Sequence, residues 1–461
     1  MQGRQPRAEA RCHRYLTPYA NRGLPMPKCT DERVEFGRVG RRVVEAAFDG
    51  GDIVSDGGVL LLKQVDERLG LSRAAALAVG DKRRSASVRH DVRSLLAQRI
   101  YALCLGWSDV CDHNTLRNDL VMQTAVGRAE SLGSAPTLSR LETGATAEHA
   151  AALHEVLMQQ FIASHPKAPR ELVLDVDATH VPLHGEQERG HFHAYYDNYC
   201  YLPLYVFAGQ DMLACVLRPS DRDPASVVSA LIKRLLVPLR RAWPRTKIIV
   251  RADSGFCRPK VLRRLERWGV SYIIGLQKNS RLAQEVEFAE LALAEQYAGK
   301  QTKLRMFGEF EYAARTWDKP RRVIARLEHG PQGANPRFVV TDLAGSAKAL
   351  YERRYCARGE AENRIKEAQL DLFGRRASCH RFQANQLRLL LAGLAYTLMI
   401  NLRRLALQGT ELATACTATI RVRLLKIGAA VLRNTRRVRV LLASAHPLKH
   451  VFLTAARALA P

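Results

Sequence analysis

The pattern of apolar and polar residues changes character near residue 165 of this 461-residue chain. Upstream, after a short Gly-rich opening, apolar residues recur with helical spacing in three amphipathic stretches, near 61–80, 89–105 and 147–164. This pattern predicts a mainly helical N-terminal domain over residues 31–165. The segment before it, residues 1–30, is basic and lacks the apolar run of a secretory signal, so we predict a disordered leader.

Downstream, short β-branched apolar runs alternate with amphipathic stretches. The runs predict strands at 172–177, 199–208, 212–218, 247–253 and 271–276. The amphipathic stretches predict helices at 224–242 and 258–268. Three strands and a helix, followed by strand, helix and strand, is the order of a ribonuclease H-like sheet. We therefore expect an α/β domain over residues 171–405, with a mixed sheet and helices on both of its faces.

A β-rich insertion is predicted inside this domain, at about residues 285–345. Its runs KLRMFGEFEYAARTW, RRVIARLE and RFVVTDL are separated by turns that contain Pro or Gly. Trp317 lies next to the first turn. An aromatic side chain at such a place either packs in the core of the insertion or stays exposed and stacks on a planar ring of a ligand, and the sequence leaves both open.

Three acidic residues stand in contexts that suit metal ligands. Asp177 and Asp253 end predicted buried strands, in LVLDVDATH and KIIVRADSGF, and Glu362 lies in a stretch with helical spacing. Carboxylates that converge from different elements supply the hard oxygen ligands of two-metal phosphoryl transfer. Asp175 shares a strand face with Asp177 by the two-residue period, so it is a rival for the first ligand.

The stretch around Glu362 also carries residues that can bind phosphate. At about 100° per residue, Tyr355, Arg358 and Glu362 fall on one helical stripe, and so do Lys366 and Gln369. A guanidinium and a phenol beside a carboxylate ligand can hold a phosphate at the metal.

In order and spacing, these motifs resemble the DDE transposases of bacterial insertion sequences, in the group with a Tyr-Arg-Glu-Lys signature (insertion sequence 4 superfamily, insertion sequence 1380-like). The matching segments are Asp177-x-Thr179, Ala252-Asp253-Ser254-Gly255-Phe256 and Tyr355-x-x-Arg358-x-x-x-Glu362. The resemblance covers residues 171–405 and favours Asp177 over Asp175 through the Asp-x-Thr pattern. That group has its lysine seven residues after the Glu, where this chain has Gln369, and Lys366 takes the place of that lysine in our interpretation.

The resemblance implies a cut-and-paste DNA transposase. Its catalytic carboxylates would hold two Mg²⁺ ions, with Mn²⁺ as a substitute, and they would be Asp177, Asp253 and Glu362. DNA contacts are expected from Tyr355, Arg358, Lys366, Gln369 and Trp317. The expected partners are terminal inverted repeats and target DNA, bound by a homodimer in a paired-end complex, with the helical N-terminal domain on the transposon end.

Composition agrees with a partner that is a polyanion. The chain has 71 Lys and Arg against 45 Asp and Glu, a formal charge of +26. Its ten cysteines form no C-x-x-C pair, which favours a reducing cytoplasm. The resemblance implies a location at the bacterial nucleoid. The longest apolar stretch, Leu389 to Leu402, is too short for a membrane span and is predicted to be a buried helix. No phosphate-binding Gly-rich loop is present, so no nucleotide cofactor is expected.

The C-terminal region, 406–461, is predicted to be basic and helical. Residues 401–461 hold eleven Lys and Arg and one Glu. Such a surface is either a solvated basic face or a binding surface that contacts the DNA backbone or a second protomer, and the sequence leaves these alternatives open. Two alternatives to the transposase remain open at this point. One is a ribonuclease H-like nuclease without strand transfer, and the other is a catalytically silent DNA-binding protein derived from a transposase.

Overall fold

The computed structural model describes residues 33–223 and 225–460, which fall into two compact units divided between Asp52 and Ile53. In the first unit, β1 (Val34–Val39) and β2 (Arg42–Ala46) form an antiparallel hairpin whose residues are all exposed. The predicted leader at 1–30 lies outside the described residues. The second unit holds every element described below.

Helices dominate the start of the second unit, after the two-residue strand β3 (Ile53–Val54). They are α1 (Val59–Leu69), α2 (Leu71–Val79), α3 (Val92–Leu105), α4 (His113–Leu116), α5 (Leu120–Val126), α6 (Ala135–Thr143) and α7 (Ala147–Ala163). Asp91, Asp119 and Thr146 begin α3, α5 and α7, and each side chain accepts a hydrogen bond from the backbone N–H three residues on. The helical pattern predicted for this part of the chain is therefore present.

Strands and helices alternate from residue 171 onward. The strands are β4 (Glu171–Ala178), β5 (Val181–Pro182), β6 (His191–His193), β7 (Asn198–Tyr201), β8 (Leu204–Ala208), β9 (Asp211–Val216), β10 (Lys247–Ala252), β11 (Ser271–Leu276), β12 (Leu304–Tyr312), β13 (Arg321–Gly330), β14 (Gly333–Ala334) and β15 (Arg337–Thr341). The helices among them are α8 (Val228–Ala242), α9 (Pro259–Arg267) and α10 (Ser280–Lys300). The five predicted strands and two predicted helices are all found, with 199–208 divided into β7 and β8.

The central sheet has the strand order β12-β13-β15-β11-β10-β4-β8-β9. Strands β4, β8 and β9 form an antiparallel meander, and β10 and β11 continue the sheet parallel to β4. The carboxyl ends of β4 and β10 therefore lie side by side at one edge. That edge receives two of the predicted ligands.

The β-rich segment predicted as an insertion extends this same sheet. Strand β15 pairs antiparallel with β11, and β13 and β12 follow it outward. The start of the predicted insertion is helical, since α10 spans Ser280–Lys300. These strands share a core with the rest of the sheet, because Ile324 of β13 and Val339 of β15 pack in one apolar cluster with Ile249 of β10 and Ile273 of β11. The description of the segment as an insertion stays a prediction. Burial against the existing sheet fixes these strands, and a local sequence pattern does not reveal that.

One continuous helical segment, Ala347–Asp371, follows the sheet. It consists of α11 (Ala347–Ala349), a wide π-type stretch Leu350–Tyr355, a tight 3₁₀ turn Cys356–Arg358, α12 (Gly359–Lys366) and a second π-type stretch Glu367–Asp371. The regular helix assumed for the predicted stripe is therefore wrong in detail. Each π or 3₁₀ turn changes the angle between successive residues and so moves side chains off a common stripe.

The C-terminal part begins with α13 (Phe382–Ala406). By length and composition alone this helix could cross a membrane, but almost all of its apolar window is buried, as predicted for a core helix. It packs in one apolar core with α1, α3 and α7, so the helical region predicted as an N-terminal domain shares its core with later elements. A second core lies between the central sheet and α8, α9 and α10.

The basic region after α13 is only partly helical. It contains α14 (Thr417–Ile420), β16 (Ala429–Arg433), β17 (Val438–Leu442) and α15 (Lys449–Leu459). Strands β16 and β17 form a hairpin, and β16 also pairs with β3. The expectation of an all-helical region is wrong because alternating Val, Leu and Arg around the Asn434 turn suit a two-residue period.

Candidate active site at the ends of two parallel strands

Two carboxylates meet at the edge of the central sheet. Asp177 is the next-to-last residue of β4, and Asp253 directly follows β10. The last pair in the parallel register joins Ala252 to Val176, so the next residues along the two strands are Asp253 and Asp177. The side chain of Asp253 also caps the following turn, because its Oδ1 accepts a hydrogen bond of 2.9 Å from the N–H of Gly255.

The third predicted ligand reaches this edge through an arginine. Arg358 Nη1 donates to Asp177 Oδ2 at 3.0 Å, and Arg358 Nη2 donates to Glu362 Oε1 at 2.7 Å. One guanidinium thus joins the end of β4 to the first turn of α12. Asp177 and the Arg358–Glu362 pair, which is 181 positions away from it in the sequence, thus form one connected group, and Asp253 borders it from β10.

Negative charge accumulates in this group. Burial raises the pKa of the Asp177 carboxyl to about 6, Arg358 opposes that shift, and Asp253 and Glu362 add to it. The side chain of Asp177 is 10% exposed and that of Glu362 is 45% exposed. One guanidinium therefore faces three carboxylates, two of them partly open to solvent.

Asp175, the rival ligand, has a different environment. Its side chain is buried and forms a two-pronged ion pair with Arg251, in which Nε donates to Oδ1 at 2.5 Å and Nη2 to Oδ2 at 2.8 Å. Arg251 Nη1 donates in addition to the carbonyl of Arg354 at 2.5 Å. Both oxygens of Asp175 are therefore engaged, and the pair attaches the helical segment to the sheet just before Tyr355.

Tyr355 lies against β11 at Gly275, a residue that has no side chain. A Cβ on Gly275 would come within 2.6 Å of the Tyr355 hydroxyl and 2.8 Å of the Ser254 backbone nitrogen. The absence of a side chain at Gly275 therefore permits Tyr355 and the Asp253–Ser254 turn to approach the same point of β11. Burial raises the pKa of Tyr355 to about 12, so its hydroxyl remains a hydrogen-bond donor at neutral pH. Sequence reasoning missed Gly275, and the glycine inside the β-branched run SYIIGL was the available signal.

The remaining predicted DNA contacts differ in their surroundings. Lys366 is exposed at the end of α12, whereas Gln369 is buried, 7% exposed, close to Tyr205 on β8. Trp317 is half-buried, with its ring edge-on to Tyr312 at 5.5 Å and the Arg321 guanidinium 5.3 Å above it. Lys366 is therefore accessible to a ligand. Gln369 is buried and Trp317 is half-buried against other side chains, so the structure does not support a DNA contact by either of these two residues.

A small sheet lies next in sequence to Asp177. It is formed by β5, β6 and β7, and it presents the rings of Phe192, Tyr195 and Tyr199 to solvent. Tyr196 stacks on His180 with ring centroids 4.2 Å apart. Sequence patterning does not predict that these aromatic side chains stay exposed, because their alternation with polar residues equally suits a packed strand.

The donor set fits a hard divalent cation. Asp177, Asp253 and Glu362 supply carboxylate oxygens, the ligands that Mg²⁺ and Mn²⁺ prefer. Burial raises the pKa of Asp177, and Asp253 and Glu362 add to that shift, so a bound cation would stabilise the ionised carboxylate. In the part of the chain that the structure describes, no three His, Cys, Asp or Glu side chains already lie at ligating distance from a common point. Arg358 lies between Asp177 and Glu362, so an ion that used both would take over bonds that Arg358 now makes.

Comparison with known proteins places this site in a family. No curated protein sequence matches the chain. Among solved structures, the chain is similar to the piggyBac transposase in its synaptic complex with hairpin DNA, with 10% identity and a TM-score of 0.41 over 81% of this chain and 80% of that one, which is too weak to support an argument. The family model described as transposase DDE domain group 1 matches residues 36–461. Because that match covers most of the chain and includes all three carboxylates, the protein belongs to the transposase DDE domain group 1 family.

Proposed function

We propose that this transposase cleaves DNA at the ends of a mobile element and joins the freed 3′-hydroxyl to target DNA. The observation that carries the proposal is the group at the sheet edge: Asp177 and Asp253 on adjacent parallel strand ends, and Glu362 tied to Asp177 through Arg358. Phosphoryl transfer needs positioned charge more than covalent chemistry, and this group provides it.

The catalytic domain is, in this proposal, ribonuclease H-like. Support comes from the strand order β9-β8-β4-β10-β11, an antiparallel meander followed by two strands parallel to the first. Assignment to the insertion sequence 4 superfamily, with its Tyr-Arg-Glu signature, is supported by Tyr355, Arg358 and Glu362, which all lie in the one helical segment beside the strand ends.

Asp177, Asp253 and Glu362 would hold two Mg²⁺ ions, or Mn²⁺ in their place. When bound, such ions lower the pKa of an attacking water or 3′-hydroxyl and stabilise the departing oxygen at phosphorus. Glu362 would be the adaptable ligand, since its side chain is 45% exposed and that of Asp177, the other partner of Arg358, is 10% exposed.

The other residues of the site would bind and orient the DNA. Arg358 can exchange a carboxylate bond for a phosphate, because guanidinium donors match both anions in geometry. Tyr355 would donate its hydroxyl to a neighbouring phosphate oxygen, and the exposed Lys366 would add charge along the same strand. Cleavage and joining would then take place in one site. The same residues would hold the phosphate in both steps, and the attacking oxygen would come from water in cleavage and from the 3′-hydroxyl in joining.

The proposed partners follow from the reaction. Two transposon ends must be cut and joined together, which calls for a homodimer on paired ends, with the helices of residues 59–163 on the terminal repeats. The formal charge of +26 supports DNA as the partner, and the location would be the bacterial cytoplasm at the nucleoid. No nucleotide cofactor is part of the proposal.

The test uses a labelled duplex with the terminal inverted repeat that flanks the gene, in Mg²⁺ or Mn²⁺. The wild type should nick at the repeat boundary and then join the 3′-end to target DNA. Asp177→Ala, Asp253→Ala and Glu362→Ala should bind the duplex and do neither. Glu360→Ala is the matched control, because Glu360 lies on the same helix but is 70% exposed and, among the described residues, pairs with Arg364 alone.

Nicking without joining would contradict the transposase proposal in favour of a nuclease. Binding without any cleavage by the wild type would indicate a silent DNA-binding relative.

A further inference from the structure

A second group of charged side chains lies away from the carboxylates and uses none of their elements. It is formed by three segments: the loop before α3, the ends of α4 and α5, and the hairpin turn between β16 and β17. The six arginines of this group, here named the arginine patch, are Arg89, Arg117, Arg128, Arg433, Arg436 and Arg437.

Hydrogen bonds join the three segments into one surface. Arg128 Nη2 donates to the carbonyl of Arg89 at 3.0 Å. Arg433 donates to the carbonyl of Ala129 and, at 3.4 Å, to Gln123 Oε1. Gln123 in turn donates to the carbonyl of Arg117 at 3.0 Å. The backbone of each arginine-bearing segment is thus tied to the next one.

The turn that carries Arg436 and Arg437 is ordered by its own side chain. Asn434 Oδ1 accepts hydrogen bonds from the N–H groups of Arg436 at 3.0 Å and Arg437 at 2.8 Å. The backbone N–H of Asn434 also donates to the carbonyl of Arg437. Both arginine side chains are exposed, and among the described residues neither forms an ion pair. The backbone of the turn is thus held in place, and it presents two exposed cations to solvent.

Little negative charge balances the patch. Glu130 approaches Arg89 at 3.9 Å and Arg128 at 4.0 Å, and its side chain is 66% exposed, so these contacts are weak. The pKa of His90 is lowered, first by burial and then by the positive charges of Arg128, Arg89 and Arg117. The arginines therefore act together as one positive surface.

The residue type indicates what this surface binds. Arginine forms two-pronged bonds with phosphate, and the patch contains no aromatic ring that could stack on an unpaired base. A second copy of the same face is a poor partner, since a symmetric contact would set six arginines against six. Duplex DNA, which carries a phosphate charge every ~1.7 Å of its axis, matches the patch.

We propose that the arginine patch binds the phosphate backbone of duplex DNA as a site separate from the carboxylate group. The proposal extends the proposed function, since it assigns a DNA surface to the same enzyme. Binding here is independent of base sequence and holds DNA on the protein beyond the strand that is cut.

The test measures the affinity of the full-length protein for a short fluorescent duplex of unrelated sequence, over about 50 to 200 mM salt and without divalent metal. Arg436→Ala/Arg437→Ala should weaken binding about tenfold at low salt and reduce the slope of log Kd against log salt by about 2, since each lost phosphate contact removes about 0.9. Arg436→Lys/Arg437→Lys should keep the wild-type slope, because charge is retained.

Arg263→Ala/Arg267→Ala is the matched control. It removes the same charge from exposed positions of α9, and it should leave the slope unchanged. Wild-type affinity and slope in the Arg436→Ala/Arg437→Ala variant would overturn the proposal and point to an acidic protein as the partner. An equal loss in the α9 control would also overturn it, because the effect would then be one of total charge.

The outcomes also separate this proposal from the proposed function. Should the wild type fail to cleave terminal-repeat DNA while the turn variant loses duplex affinity, the patch stands and the transposition chemistry does not. Should the wild type cleave terminal-repeat DNA while the turn variant binds the duplex normally, the transposition chemistry stands and the arginine patch does not.

Discussion

Strand β4 carries two ion pairs, two residues apart, that have opposite characters. Asp175 and Arg251 form a closed pair: one carboxylate, one guanidinium, both oxygens used, and a side-chain exposure of 2% for the aspartate. Asp177 shares Arg358 with Glu362 and has Asp253 beside it. A balanced, buried pair holds structure together, whereas an unbalanced, partly open group can accept cations and phosphate. Charge balance therefore distinguishes the two aspartates where residue type and strand position do not.

The largest expected effect comes from Asp177→Asn. Cleavage of terminal-repeat DNA should fall at least about 1,000-fold, or about 4 kcal/mol in transition-state stabilisation, because a metal ligand is lost. Stability should not fall, since burial raises the pKa of Asp177 to about 6 despite its ion pair with Arg358, so the ionised carboxylate is unfavourable in the folded protein at neutral pH. Single-turnover cleavage and urea unfolding measure the two quantities. A variant that is less stable than the wild type but keeps its specific activity while folded would reverse the assignment.

Asp175→Asn should show the opposite result. Arg251 would stay buried without its carboxylate, which lowers the free energy of unfolding by about 3–5 kcal/mol. Urea unfolding measures that loss, and cleavage is assayed at a temperature where the variant is folded. We expect activity to fall far less than in Asp177→Asn. Unchanged stability together with abolished cleavage would identify Asp175 as the first ligand.

Gly275→Ala, on strand β11, tests how precisely the group around Asp177 must be positioned. Its methyl group would press on the Tyr355 hydroxyl and on the backbone of Ser254. Tyr355 and the Asp253–Ser254 turn should both shift. We expect cleavage to fall about 100-fold, which is the loss that a ~1 Å misplacement of reacting groups causes. Gly308→Ala serves as the control, since no atom lies within 4 Å of a Cβ there. Normal kinetics in Gly275→Ala would show that this close approach does not position the site.

Trp317→Ala should have the smallest effect on catalysis. Because Trp317 packs on Tyr312 and Arg321, its loss should lower the free energy of unfolding by about 1–2 kcal/mol, less than for a fully buried ring. Single-turnover cleavage at saturating DNA should remain within about twofold of wild type. A large loss of cleavage with normal stability would restore the prediction that this ring stacks on a DNA base. Trp317→Phe separates ring packing from the loss of volume.

The sequence predicts the strand ends of the site well and the helical side poorly. Asp177 and Asp253 could be located because each ends a β-branched run, and neighbouring parallel strands end at the same edge. The helical stripe failed in part because π and 3₁₀ turns within Ala347–Asp371 have no local sequence signature, so Gln369 is buried while Lys366 is exposed. Such turns depend on tertiary packing, here of Leu350 and Tyr351 on the sheet.

Partners across long sequence separations were also beyond prediction. Arg358 meets Asp177 across 181 positions, and Arg251 meets Asp175 across 76. The sequence showed charged residues of both signs and could not pair them. The extension of the sheet by β12, β13 and β15 was hidden for the same reason, since the edge of β11 that accepts them exists only in the fold.

The most direct test of the central claim is the ratio of single-turnover cleavage rates of Asp175→Asn and Asp177→Asn, at a temperature where both variants are folded. The account predicts a ratio of at least about 100, because Asp177 belongs to the reacting group and Asp175 supports the fold. A ratio near one, or an inverse ratio, would contradict the assignment of the catalytic site to the open group around Arg358.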